Sequence, residues 1–339
     1  MKSIHKLGFN LSAICQYLAF CLCILSLPTS AAGYVDKDSY LYPIMIDIRH
    51  KKYDEAMAKL EPLVTKNDPV ALFWYGYMKQ ESQGSERMGA DHWFEKSIES
   101  GNPYSMFKLS GKEGTDVVCE SNGWICSDEY FDSAIHEWEK LAVNGDVKAE
   151  YLYRYYNRSF LGMAFDAWIS GKDHELILEA AKKGYYRPLA RRTSYAASQK
   201  EHPKDFWGEE LLNVLRNNTD KDPQIATYRA MHVYEDLTDK QRVDLLVNSL
   251  AKGYYPASNY LYEFAKKGVL TFEDVYVYAE VSNIGGFSNA LTVVIENRGL
   301  VSNEAIPDLK IKAKIFFDKI QHVINFDEMD FMYRHKPDV

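Results

Sequence analysis

A turn residue that recurs every 31 to 44 positions, followed within six residues by alanine or serine, limits what this chain can fold into more than any other feature. The segment ADHWFEKSIESGNPYSMFKLS, residues 90–110, sets the pattern: Ala90, then Gly101, then Ser105. Further copies carry Ala56, Asn67 and Ala71; Ala134, Gly145 and Ala149; Gly184, Pro188 and Ala190; Gly253 and Ala257; and Val275, Gly286 and Ala290. A poorer copy centres on Asp222 with Ala226. The turn positions 67, 101, 145, 184, 222, 253 and 286 are spaced 34, 44, 39, 38, 31 and 33 residues apart. A period of this length, with a helical stretch on each side of the turn, predicts a solenoid of helix pairs.

The prolines give an independent phase. Pro69, Pro103, Pro188, Pro223 and Pro256 each fall one to four residues after a turn position. Proline is tolerated in the first turn of a helix and breaks a helix interior, so the same helix begins there each time. Glycine, or Asn67, supplies the left-handed residue that ends the preceding helix. Alanine or serine four residues on lets two helices cross closely. Trp93, Phe94, Trp138, Leu176 and Tyr278 are the large residues expected to fill the space between helices. Thr238 with Gln241, and Thr271 with Asp274, have the spacing of capping boxes.

This pattern resembles the Sel-one-like repeat family, a relative of the tetratricopeptide repeats. Its consensus runs Ala-x-x-Trp-aromatic-x-Lys-Ala-Ala-x-x-Gly, then a small residue opening the next helix, with Leu-Gly following. Ala90, Trp93, Phe94, Lys96, Gly101 and Leu109 match, with Ser110 in place of glycine. Ala71 and Gly76 match with Tyr75 for leucine; Ala257, Leu261 and Gly268 match with Tyr262 for glycine. Ala134, Lys140, Ala142, Gly145 and Ala149 form another copy, in which Glu137 replaces tryptophan and Trp138 follows it. The resemblance implies an all-α, right-handed αα-hairpin solenoid of about six to seven repeats. It also implies a scaffold for protein–protein contact.

Five segments follow: a signal peptide at 1–32, a leader at 33–50 (a short helix or a loose arm), the solenoid at 51–302, a capping helix at 303–325 and a fraying tail at 326–339. The first carries Lys2, His5 and Lys6, an apolar run from Leu11 to Leu27, then Pro28 and the small residues Ser30, Ala31 and Ala32. That order is the pattern of a cleavable secretory peptide, cut before Gly33. The competing reading, an uncleaved anchor, requires the run to span a bilayer at the short limit of length. A lipoprotein signal fits worse, because Phe20 and Leu22 precede Cys21 and Cys23.

Removing Lys2 and Lys6 leaves 38 basic against 48 acidic side chains, a net charge of −10. Such a chain is a poor match for nucleic-acid phosphates or an anionic membrane. Cys119 and Cys126 remain after cleavage, separated by ESNGWI. In an oxidising compartment this pair is expected to form a disulfide. It lies within the 44-residue spacing, a surplus that solenoids place in a loop on one face. That loop is either part of a binding face or a tolerated insertion.

No catalytic constellation stands out. HEWEK at 136–140 lacks the second histidine of a zinc-protease helix, and GKEGT at 111–115 is too short for a phosphate loop. The carboxylate pairs Glu209–Glu210 and Asp327–Glu328 read as solvated faces. The expectation is a non-enzymatic chain without cofactor or metal. The 25 tyrosines are the unusual feature. Tyr75, Tyr153, Tyr156 and Tyr262 are candidate groove residues, since tyrosine gives large contact area at low entropy cost. Lys182, Lys183 and Arg187 head a basic stretch reaching Lys204, either a solvated face or a dock for an acidic partner. The functional expectation is an exported protein-binding scaffold, first of all a periplasmic immunity or inhibitor protein that binds a secreted toxin or effector. The alternatives are an adaptor in envelope or exopolysaccharide assembly, a glycan-binding module, and a secretory-pathway adaptor glycosylated at Asn157 and Asn217.

Overall fold

The period seen in the sequence becomes a stack of helix pairs in a computed structural model. The structure describes residues 35, 37–82, 85–157, 172–198, 203–289 and 300–332. All belong to one unit, Ala31–Val339. The segment read as a signal peptide lies outside the described residues, as do Arg158 and Ser159 of one glycosylation sequon and Ala290 of the last repeat copy. Among the described residues the regular structure is entirely helical.

After α1 (Tyr42–Arg49), the pairs are α2 (Tyr53–Val64) with α3 (Pro69–Glu81), and, past the short α4 (Ser85–Met88), α5 (Asp91–Glu99) with α6 (Pro103–Lys108). A short insert helix, α7 (Asp116–Asn122), precedes α8 (Glu129–Val143) with α9 (Val147–Tyr156). Then come α10 (Lys172–Lys182) with α11 (Arg187–Ser198), and α12 (Pro203–Asn217) with α13 (Pro223–His232). The sixth pair is α14 (Asp239–Ala251) with a 3-10 turn at Tyr255–Tyr260 that runs into α15 (Leu261–Lys266). Last are α16 (Phe272–Ile284) and, packed on it, α17 (Ile306–Phe317).

The turns explain the pattern. Asn67, Gly101, Gly145, Gly184, Gly253 and Gly286 all have positive φ, between 57° and 94°. At four of the turns the following residue caps the second helix. Asp68 accepts from the Val70 and Ala71 amides, Asn102 from Tyr104 and Ser105, Asp146 from Ala149, and Asp222 from Ile225. Each such cap satisfies amides that the helix itself leaves open, a contribution of about 1 kcal/mol. Asp222 therefore does the work of Asp68 and Asp146. Its repeat is one residue out of the register read from sequence, and the turn residue there is Lys221. Ala56, Ala71, Ala90, Ser105, Ala134, Ala149 and Ala257 are buried completely where helices cross. Capping boxes form at Thr238 with Gln241 and at Thr271 with Asp274.

The insert before α8 is pinned by the Cys119–Cys126 disulfide, whose Cα atoms lie 6.1 Å apart. It drives Trp124 inward, where the indole N–H donates to the Met88 carbonyl at 3.2 Å and the ring meets Phe94. Ile125 beside it is 83% exposed. By loop-closure entropy a ring this small stabilises by about 2–3 kcal/mol. Adding a reductant is expected to lower the melting temperature; identical melts with and without it would mean the bond contributes nothing.

The two ends of the array meet. The His50 imidazole and the Tyr255 hydroxyl are 3.0 Å apart, and Arg49 donates to the Gly253 carbonyl at 3.2 Å. Gly286 lies so close to the His50 carbonyl that a Cβ there would come within 3.3 Å of it. His322 stands edge-on to His50, with ring centres 5.0 Å apart. Burial, then the neighbouring Arg49, pushes His50 down to about 4. Burial, then His50 and Arg49, pushes His322 down to about 4 as well. Lys37, Asp47 and Lys52 also face this seam.

An unfolded histidine titrates near 6.5, so between there and 4 the unfolded chain binds the extra protons. The stability these rings contribute is therefore complete above 6.5 and is lost as pH falls through 4. Asp222, which burial pushes up to about 6, works in the opposite direction. The readout is thus a difference. His322→Gln should flatten the fall in urea stability between pH 6.5 and pH 4 relative to the wild type, and parallel curves would refute the assignment.

Candidate functional site

The second helices of the first four pairs share an inner face, and the residue three positions past each glycine turn points along it. In three successive pairs that residue is Tyr104, Lys148 and Arg187. The Lys148 ammonium sits 4.0 Å from the centre of the Tyr104 ring. A column of cations on an inner face must find counter-charge, because burying an unpaired charge costs several kcal/mol.

The counter-charge comes from the far end of the chain. After α17 the backbone runs without regular structure from Ile320 to Asp327, then makes one 3-10 turn at Glu328–Phe331. This strap lies along the inner face. The Gln321 and Val323 amides donate to the carbonyls of Ala251 and Lys252, each at 2.9 Å. Arg187 pairs with Asp327 through one guanidinium nitrogen and with Asp330 at 2.6 Å through the other. Lys148 pairs with Glu328 and lies 3.5 Å from Asp327, while the Tyr185 hydroxyl donates to Asp327 at 3.1 Å.

Burial alone would lower the Lys148 and Arg187 cations, but Asp327 with Glu328, and Asp327 with Asp330, outweigh it and hold both above their ordinary values. Burial likewise pushes Asp327 up, and Arg187 and Lys148 overcome it, leaving that carboxyl below the usual range. Asp330 ends above it, because burial and Asp327 outweigh Arg187.

Backbone carbonyls of the strap are read as well. Tyr42 donates to the His322 carbonyl at 2.6 Å, Arg191 to Met329 at 3.3 Å and Lys108 to Phe331 at 2.6 Å. Lys108 is completely buried, and burial pushes it down to about 7. Apolar strap residues fill the core of the first repeats. Phe331 packs against Trp74 and Tyr77, with ring centres 5.3 and 4.5 Å away, and Phe326 against Trp74 at 6.2 Å. Ile324, Met329 and Met332 are buried beside them. The expectation of a fraying tail from Phe326 is thus corrected through Met332; residues 333–339 are not described. Asp327 and Glu328, read as a solvated pair, are the charge lock of the inner face.

Beside the strap opens a cleft of about 300 Å³, lined by Tyr151, Tyr155, Tyr156, Arg191, Arg192 and Met329 among others. Of the four tyrosines singled out from sequence, only Tyr156 reaches it. Tyr156 stacks on Trp138, with ring centres 5.7 Å apart. Tyr75 packs on Trp93, Tyr153 donates to Glu139, and Tyr262 packs on Phe272, so these three lie apart from the cleft.

The basic stretch also disperses. Lys182 pairs with Glu210 at 2.8 Å, Lys183 with Glu150 at 2.6 Å, and Arg187 is buried under the strap rather than presented to a partner. The side chain of Lys204, and Lys200, lie outside the described residues. Sequence reading missed Lys108, Lys148, Tyr185 and the strap. The run Phe-Asp-Glu-Met-Asp-Phe at 326–331 was the available signal, since an apolar-rich terminus is costly to leave in water.

Among the described residues no group of three or more His, Cys, Asp or Glu is placed to hold a metal ion, and no helix is long and apolar enough to cross a membrane. No family model matches the chain, and no curated protein matches it. Among solved structures, it is similar to a protective antigen present in uropathogenic Escherichia coli strains that displays an SLR (Sel-one-like repeat) fold, at 11% identity and a TM-score of 0.39. The match covers 81% of this chain and 61% of the antigen, so this chain spans less than two-thirds of that protein's length. The molecule described here is an all-helical repeat scaffold of the kind its turn spacing predicts.

Proposed function

We propose that this chain is an exported, non-enzymatic protein-binding scaffold, and in its most specific form a periplasmic immunity or inhibitor protein that binds a secreted toxin or effector. The observation that carries the binding reading is the inner face itself. It already holds a non-helical stretch of polypeptide and its closing 3-10 turn through donors to backbone carbonyls, paired charges and aromatic pockets. Those are the elements of peptide recognition in a groove. The disulfide, the basic–apolar–small order of residues 1–32 and the net acidic charge support export and a soluble partner. A protein of this kind acts by covering its partner over a large interface rather than by chemistry.

The test is affinity purification of the tagged mature chain from its host envelope, followed by mass spectrometry. One stoichiometric partner bearing a hydrolase motif is the expected result. A spread of weakly held envelope-assembly proteins would replace the immunity reading with an adaptor. Retention of polysaccharide without any protein would overturn protein binding altogether.

A further inference from the structure

We infer that the inner groove is a binding site for an acidic–aromatic segment of the partner protein, and that residues 320–332 are its resident occupant, which the partner's segment replaces. The inference rests on the protein-binding reading and specifies the partner's chemistry.

The selectivity resides in the groove, not only in the strap. Lys148 and Arg187 occupy the same position of successive repeats and are nearly buried, with side chains 10% and 9% exposed. Asp327, Glu328 and Asp330 match these charges, so a segment that covered the groove without acids would leave two cations buried and unpaired, and only an acidic segment replaces the strap at low cost. The donors from Tyr42, Arg191 and Lys108 reach main-chain carbonyls, the first in the irregular part of the strap and the other two in its 3-10 turn, so they do not depend on side-chain identity. The surface formed by Trp74 and Tyr77 takes aromatic side chains on either side of the acids.

The strap is also held in a way that permits exchange. Its backbone-to-backbone bonds to the array are those of Gln321 and Val323, at its start. From Ile324 to Met332 the described backbone hydrogen bonds go to side chains or stay within its own turn. Peeling back from Met332 towards Ile324 thus breaks no backbone bond to the array. The open cleft beside Met329 gives an incoming segment a place to start, against Arg191, Arg192 and Tyr155. A tethered occupant competes at an effective concentration in the millimolar range, so the intact chain should bind a free segment about a hundredfold more weakly than a chain whose strap is loosened.

The probe is a fluorescein-labelled peptide, IQHVINFDEMDFMYRH, of residues 320–335, followed by anisotropy. The full chain carrying D327K/D330K, whose strap is repelled by Lys148 and Arg187, should bind it at least about a hundredfold more tightly than the wild type does. A peptide with Asn at all three acids should bind that variant about tenfold more weakly or worse. A second variant of the full chain carries a protease site at the exposed Asp318–Lys319 turn. After cleavage the strap is held non-covalently, and excess labelled peptide should replace it; this decides the matter if D327K/D330K does not fold.

Absence of uptake by the cleaved chain would overturn the inference and make the strap a permanent part of the core. Uptake that the acid-free peptide matches would overturn the charge selectivity. Uptake by one chain only of another chain's strap, seen as a swapped dimer that excludes the peptide, would overturn the external partner. Envelope capture is independent of all three, so its failure would sink the protein-binding reading without altering the peptide result.

Discussion

Arg187→Ala should lower the unfolding free energy by about 3–5 kcal/mol, the range for removing one partner from a buried ionic cluster. Its guanidinium spans two carboxylates of the strap, Asp327 and Asp330, and alanine leaves both in the core. Asp327 keeps Lys148 at 3.5 Å, whereas Asp330 loses its 2.6 Å partner and keeps the field of Arg191. Arg187→Lys should recover only part of the loss, because a compact ammonium cannot reach both carboxylates as the wide guanidinium does. Urea unfolding followed by circular dichroism measures this directly. Combining Arg187→Met with Asp330→Asn should restore much of the stability, since a neutral pair of similar volume removes the stranded charge. A loss below about 1 kcal/mol in Arg187→Ala would mean that the residue lies in water, like an ordinary surface pair.

Phe331→Ala should cost about 3–5 kcal/mol as well, the usual cost of emptying a buried aromatic site. The diagnostic feature is where the damage appears. Phe331 sits against Trp74, Tyr77 and Phe326, so the cavity opens beneath α3 in the first helix pair. Amide exchange should rise in Pro69–Glu81 more than in α17, which directly precedes the strap in sequence. A frayed terminus would give neither effect. Uniform exchange across the array would argue that the strap does not organise the first repeats.

Most of the array was legible in the sequence because its determinants are local. A positive-φ turn, an acid or amide after it and a proline in the next turn all lie within a few residues; together they mark Gly101, and the first two mark Gly145, without any knowledge of tertiary contacts. Gly184 and Asp222 were harder. Tyr185 stands where the first three turns have a capping Asp or Asn, and Lys221 replaces glycine as the turn residue. The groove was illegible for a different reason. Arg187 reads as one of a basic run because its local neighbours are basic, while its partner Asp327 lies 140 residues away. Lys108 is a surface-type residue by identity, and only the Phe331 carbonyl, 223 residues on, explains its burial. Strap residues have no helical or strand period, so nothing local separates a segment that fills a core from one that frays.

The meeting of the first and last helices changes what kind of polymer this is. An open solenoid behaves as a one-dimensional lattice, in which each unit senses only its neighbours and melting can begin at either end. Here Tyr42 is bonded to His322 across 280 positions and His50 to Tyr255 across 205, which gives the lattice a periodic boundary. Units cannot be added or trimmed without breaking that seam, and unfolding should be all-or-none rather than progressive. The seam joins residues more than 200 positions apart, so it can close only after the chain between them is available. Its high contact order then implies folding slower than that of an open array of the same length.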